Sequence, residues 1–162
     1  MTSEKQTLEA LEEAIYREIG AFRFYTSMAD DITNSGGKKK FKEIAGDEKR
    51  HREKLESWYN QLSPEEFEVT DEKIEKSEIK DISLSERTGA EKALDIAIEA
   101  ELSANRFYTE QAEKIDSEDL EKLYISLADE EEGHYNLLVA EKNALAGGFY
   151  WFDMDSTAFM ED

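Results

Sequence analysis

Cysteine is absent from these 162 residues, and proline occurs once. Without cysteine the chain can build no disulfide framework, no thiolate-ligated zinc site, no iron–sulfur cluster and no iron held by four thiolates. No apolar run approaches the roughly 20 residues that span a bilayer, and the stretch Met1-Thr-Ser-Glu-Lys-Gln lacks the apolar core of a signal peptide. A cytoplasmic protein with no membrane partner is expected. Basic residues are scarce beside acidic ones: 20 Lys plus Arg against 40 Asp plus Glu give a net charge of -20. That charge opposes unassisted binding to nucleic acid or to an anionic membrane, and is compatible with metal ions or a cationic partner. Histidine is scarcer still, with two in the chain.

Both histidines sit in the same local pattern. Glu48-Lys-Arg-His51 and Glu131-Glu-Gly-His134 each place a glutamate three residues before a histidine. On an α-helix, residues three apart share a face, so each motif aims a carboxylate and an imidazole at one point. The motifs belong to a longer repeat at an offset of 83 residues, which also lays Glu18 on Glu101, Ala45 on Ala128, and Arg23-Phe24-Tyr25 on Arg106-Phe107-Tyr108. A constant offset across two halves is what a duplicated helical hairpin leaves behind.

Apolar residues recur in steps of three and four, which predicts four long helices. The first is expected from a cap at Ser3, with Gln6 at the capping-box position, to about Ile32, with the seam Leu8, Leu11, Ile15, Glu18, Phe22, Tyr25, Ala29, Ile32. Asn34-Ser35-Gly36-Gly37 is expected as a turn. The second helix, about Lys38 to Leu62, carries Phe41, Ile44, Glu48, His51, Leu55, Trp58 and Leu62, and ends at Ser63-Pro64. Residues 63 to about 85 read as a charged crossover with a short helix near Asp71 to Lys76. A connection of that length runs back along a bundle and makes the second and third long helices parallel. The third, about Glu86 to Ile115, carries Leu94, Ala97, Glu101, Ala104, Tyr108, Gln111 and Ile115. The fourth, about Glu118 to Leu145, carries Leu120, Tyr124, Leu127, Glu131, His134, Leu138, Glu141 and Leu145. The expectation is an all-α four-helix bundle over residues 1–146 with an aromatic tail over 147–162. The tail reads as a lid over one bundle end or a dimer contact, or as a docking surface for a redox partner.

Four of the seams are thus interrupted by a glutamate at a core position. Glu18 and Glu48 are centred on residue 33 and Glu101 and Glu131 on residue 116, at the two predicted hairpin turns. All four carboxylates therefore fall at one depth, on the order of 20 Å from the turns at 1.5 Å per residue. Four carboxylates converging in a helical core repel one another and pay for lost hydration, and two divalent cations would balance them. An oxygen-rich set with one imidazole per metal suits iron or manganese better than structural zinc. By symmetry Glu18 and His51 serve mainly one metal, Glu101 and His134 the other, and Glu48 and Glu131 are assigned as bridges. Asp47 and Glu130 are placed to accept from the histidine of the opposite motif, and Tyr25 and Tyr108 to hydrogen-bond ligand carboxylates or simply to fill the core. Glutamate makes up 28 of the residues, so the two motifs alone carry modest weight. Seam position, common offset and common depth carry the rest.

From Leu8 to Leu145 this pattern resembles the rubrerythrin-like members of the ferritin-like di-iron superfamily, in which two helices each give a Glu and two others each give a Glu-x-x-His. The resemblance implies a ferritin-like bundle and two iron ions held by Glu18, Glu48, His51, Glu101, Glu131 and His134. Two departures stand out. The cysteine-ligated rubredoxin domain that feeds electrons to the centre is absent, so reduction needs an external donor such as a rubredoxin-like protein. Rubrerythrins also carry an extra glutamate one turn beyond the third helix's ligand, where this chain has Ala104.

The first expectation is an oxidoreductase that reduces hydrogen peroxide or dioxygen, with Ala21 and Ala104 leaving room for a small oxidant and Tyr25 and Tyr108 assisting. Ferrous-iron oxidation for iron handling, and a structural bundle with a non-catalytic metal site, are the alternatives. A homodimer is expected.

Overall fold

The computed structural model describes residues 2–77 and 87–146. Among them there are five helices and no strand: α1 (Glu4–Asp31), α2 (Ser35–Leu62), α3 (Asp71–Ser77), α4 (Arg87–Lys114) and α5 (Glu118–Ala146). The four long helices match the periodic segments, each on the order of 42 Å long at 1.5 Å per residue. The expected tail, residues 147–162, lies outside the described residues, as do residues 78–86 of the crossover.

Local chemistry sets the ends. Ser3 and Gln6 close a reciprocal capping box, with Gln6 N donating to Ser3 Oγ at 3.1 Å and Ser3 N to Gln6 Oε1 at 2.9 Å. The turn into α2 is shorter than the sequence suggests. Asn34 caps the helix, its side chain accepting from Gly37 N at 2.9 Å, so Ser35-Gly36-Gly37 forms the first helical turn instead of a loop. The cap wins because first-turn N–H groups have no intrahelical partner, and an Asn side chain satisfies one of them.

α1 packs along α2, and α4 along α5. The crossover is tied down by Tyr16, whose hydroxyl accepts from Thr70 N at 3.0 Å and donates to Glu68 O at 3.4 Å. Phe67 packs on the rings of Tyr16 and Tyr59, and Ile74 of α3 is buried against the same end of the bundle.

The core is two apolar clusters. One joins Phe24 to Ile32 of α1 with Phe41 to Ala45 of α2, Ala90 to Ala97 of α4, and Leu138 and Leu145 of α5. The other joins Leu11 to Ile19 of α1 with Leu55, Phe107, Tyr108 and Leu120 to Ala128. Where the two clusters meet, each long helix carries its interrupting residues: Glu18 beside Ile19 at the edge of the second cluster on α1, and between the clusters Glu48 with His51 on α2, Glu101 on α4, and Glu131 with His134 on α5. The fold thus sandwiches one polar layer between two greasy ones.

Candidate metal centre

Seven polar side chains are buried among the described residues: the six above and Glu141. Glu141 has an ordinary explanation, an ion pair with Lys40 Nζ at 2.8 Å. Among the described residues, neither a lysine nor an arginine pairs with the other six. Their polar partners among the described residues are one another, two tyrosines and two carboxylates just outside.

Each histidine turns Nδ1 inward. His51 Nδ1 lies 3.5 Å from Glu18 Oε1, 3.5 Å from Glu48 Oε1 and 3.2 Å from Glu131 Oε1. His134 Nδ1 lies 3.3 Å from Glu48 Oε1, 3.5 Å from Glu101 Oε1 and 3.6 Å from Glu131 Oε1. The imidazole rings face each other at 6.3 Å between centroids, tilted by 21°. The outer nitrogens reach across the bundle as the spacing suggested. His134 Nε2 hydrogen-bonds Asp47 Oδ2 at 2.9 Å, and His51 Nε2 approaches Glu130 Oε2 at 3.1 Å without the alignment of a hydrogen bond.

The tyrosines bind crosswise. Tyr25 of α1 donates to Glu101 Oε1 of α4 at 2.6 Å, and Tyr108 of α4 donates to Glu18 Oε1 of α1. Each thus holds a carboxylate of the other hairpin, and each ring is fully packed, Tyr25 against Phe41 and Tyr108 against Tyr124. The core role and the hydrogen-bonding role coexist in the same side chain.

The electrostatics show a cage short of positive charge. Burial, followed by repulsion from Glu18 and Glu101, pushes the Glu48 carboxyl well above its ordinary range. Burial, followed by Glu48 and Glu101, does the same for Glu131. Burial alone would lower the pKa of His51, yet hydrogen bonding to Glu131 and Glu18 outweighs it and holds the imidazole at about 10. His134 is raised too, its burial overcome chiefly by Glu101. Carboxyls that keep protons and imidazoles that gain them are the same response to one deficit.

A cation fits that deficit. Of the eight buried side-chain N and O atoms that lack a hydrogen bond among the described residues, seven belong to these six residues. Lone pairs buried without partners are costly unless something coordinates them. Two groups of donor atoms lie close enough to hold an ion: Glu18, Glu48, His51 and Glu131, and then Glu48, Glu101, Glu131 and His134. They share Glu48 and Glu131, the two residues assigned as bridges from symmetry. The Glu/His cluster fits a metal site.

A cavity of about 200 Å³ opens onto it between α1 and α4. Glu18, Glu48, Glu101 and Glu131 line it together with Ala21, Ala100 and Ala104, and Arg17 and Ser103 join them. Sequence reasoning found Ala21 and Ala104 and missed Ala100, Arg17 and Ser103, because none of the three lies on an apolar seam. A larger hollow of about 750 Å³ beside α1 and α3, lined by residues such as Glu12, Tyr16 and Lys73, touches none of the six.

The family model described as rubrerythrin matches residues 9–142. No curated protein matches the sequence significantly. Among solved structures, a hypothetical protein from Pyrococcus furiosus is 32% identical and similar at a TM-score of 0.77, over 87% of this chain and 90% of its own.

Proposed function

Because the chain belongs to the rubrerythrin family, we propose that the cluster holds two iron ions and that the protein reduces hydrogen peroxide or dioxygen with electrons from an external donor. The observation that carries this reading is the pair of overlapping donor groups that share Glu48 and Glu131. Shared carboxylates keep two metals at working distance, which a mononuclear or purely structural site does not need.

Two ferrous ions held there would supply the two electrons that, with two protons, convert one hydrogen peroxide to two waters. The chain's own residues do the remainder. Glu18 with His51 and Glu101 with His134 would hold one ion each, and Glu48 and Glu131, common to both donor groups, would serve both. Tyr25 and Tyr108 each occupy one oxygen of an end carboxylate, fixing its orientation and leaving the other oxygen free for metal. Asp47 orients the His134 ring with Nδ1 inward, and Glu130 stands ready to do so for His51. The methyl walls of Ala21, Ala100 and Ala104 leave space for a small oxidant beside the carboxylates.

Ala104 favours a second reading, iron oxidation for handling, since the residue at that position bears no carboxylate to rearrange with redox state. Reconstitution separates the readings. Metal-free protein is loaded with ferrous iron under nitrogen, its iron counted in the wild type and in the His51→Ala, His134→Ala double variant, and peroxide or dioxygen then added with a reductant. Two irons per chain, fewer in the variant, and repeated turnover with peroxide are expected. Oxidation by dioxygen with iron release and no turnover would favour handling, and failure to bind iron would end both readings.

A further inference from the structure

The cavity over the centre has an asymmetric mouth. Its floor is the four buried glutamates with Tyr25, whose hydroxyl donates to Glu101, and its sides are alanine methyls, so no charged side chain above the floor other than at the rim meets what passes. Arg17 and Ser103 are its polar rim. The Arg17 side chain is 36% exposed and Ser103 is exposed, whereas the carboxylates are buried. Arg17 stands on α1 and Ser103 on α4, and Arg17 NH1 donates to Ser103 Oγ at 3.2 Å, which strings a bond across the opening. Glu13 accepts from the same guanidinium at 3.4 Å, and the Phe107 ring lies beneath it, 4.6 Å from its centre. Three contacts from two helices therefore hold this cation in place, although it is only part-buried.

The repeat shows that the bundle itself does not require this arrangement. One offset of 83 residues onward, Arg17 corresponds to Ala100, and one offset back, Ser103 corresponds to Gly20. The ligands are duplicated and the rim is not. Among the described residues, Arg17 is also the one cation lining this cavity, whose floor carries four carboxylates. An ion leaving by this route must pass close to the guanidinium, whereas an uncharged molecule feels no such barrier. At about 30 Å³ per water, the cavity has room for only a few small molecules.

We infer that Arg17, latched to Ser103, gates this mouth: it retains bound cations and admits small uncharged oxidants when the latch opens. The inference rests on the metal-centre reading above. Arg17 is a positioning and selecting residue, since it touches neither metal donors nor reacting atoms through a hydrogen bond.

The test loads the full chain with ferrous iron under nitrogen and follows two rates: transfer of iron to an excess of a ferrous chelator, and association of nitric oxide, an uncharged probe, by absorbance. Arg17→Ala should raise both several-fold. Ser103→Ala should raise both by less, because the guanidinium loses its anchor and keeps its charge. Arg17→Lys should hold iron nearly as well as wild type while admitting nitric oxide faster, which separates charge from closure. Arg52→Ala, a surface change on α2, should alter neither. Unchanged rates in iron-loaded Arg17→Ala overturn the gate and leave the centre standing. A wild type that takes up no iron overturns the centre itself, and the gate with it. If Arg17→Ala does not fold, Ser103→Ala and Arg17→Lys decide on the same two rates.

Discussion

A proton and a metal ion compete for the same lone pairs at this centre, and the direction of each pKa shift says how that competition registers in stability. Glu48 and Glu131 are raised by burial and by neighbouring carboxylates, and His51 is raised to about 10 by Glu131 and Glu18 against the effect of burial. A raised folded-state pKa means that the folded chain keeps a proton the unfolded chain releases, so stability falls as pH rises. For His51 the contribution is complete below the ordinary value of 6.5 and is lost as pH climbs through about 10. The melting temperature of the metal-free protein should therefore fall steadily from pH 6.5 to 9.5, and thermal melts would show it. A bound divalent ion displaces those protons, so in the loaded protein the fall should vanish over the part of the range where the ion stays soluble. A metal-free protein that grows more stable with pH would contradict the electrostatic picture. The tyrosines make a second prediction at this scale. Tyr25→Phe and Tyr108→Phe each strip a buried carboxylate oxygen of its donor, and should cost the loaded protein about 2 kcal/mol apiece in urea unfolding. Because both carboxylates belong to one buried cluster, the double variant should depart from the sum of the two costs, and a double-mutant cycle would measure that coupling.

At the scale of helices, periodicity made the four long segments legible, since each buries a continuous seam over many turns. It even marked the candidate donors, because a glutamate inside an apolar seam stands out from the pattern. What it could not show was whether a seam glutamate is paired by a distant cation. Glu141 has the same seam position as Glu131 and differs only in meeting Lys40 from α2, a contact between residues 101 apart in sequence. The start of α2 was misplaced for a related reason: glycines argue for a turn, and only the Asn34 cap, a matter of side-chain geometry, makes them helical. Arg17 was invisible because its partners, Ser103 and Phe107, belong to another helix. Glycine inside a helix still carries its intrinsic penalty where nothing requires it. A Cβ built at Gly133 meets no atom within 4 Å, and the residue is exposed beside His134. Gly133→Ala should stabilise the protein by up to about 1 kcal/mol with iron content unchanged. A loss of stability in urea, or of bound iron, would show that the glycine serves the centre.

Across the whole molecule, the donor sets cut against the division into hairpins. The first group takes three residues from the α1–α2 hairpin and borrows Glu131 from α5; the second takes three from the α4–α5 hairpin and borrows Glu48 from α2. Neither half can complete a site alone, so a bound metal would add a further tie between two hairpins already joined by apolar side chains at either end of the polar layer and by the crosswise tyrosine hydrogen bonds within it. Without metal this layer holds buried lone pairs that lack partners, which costs stability, and a bound metal would offset that cost by binding only the folded chain. Glu131→Gln separates the two effects. The amide needs no proton to be neutral, so at pH 7 the metal-free variant should be more stable than metal-free wild type, whose Glu131 carboxyl is held above its ordinary range by burial and by Glu48 and Glu101. The same change removes a donor common to both groups, so the variant should gain little melting temperature from ferrous iron and bind less than one ion per chain. Glu18→Gln touches only the first group and should retain about half the bound iron. Melts with and without iron, paired with iron counts, distinguish these outcomes. If Glu131→Gln destabilised the metal-free chain and still bound iron fully, the shared-carboxylate architecture would be wrong, and the buried glutamates would need another explanation.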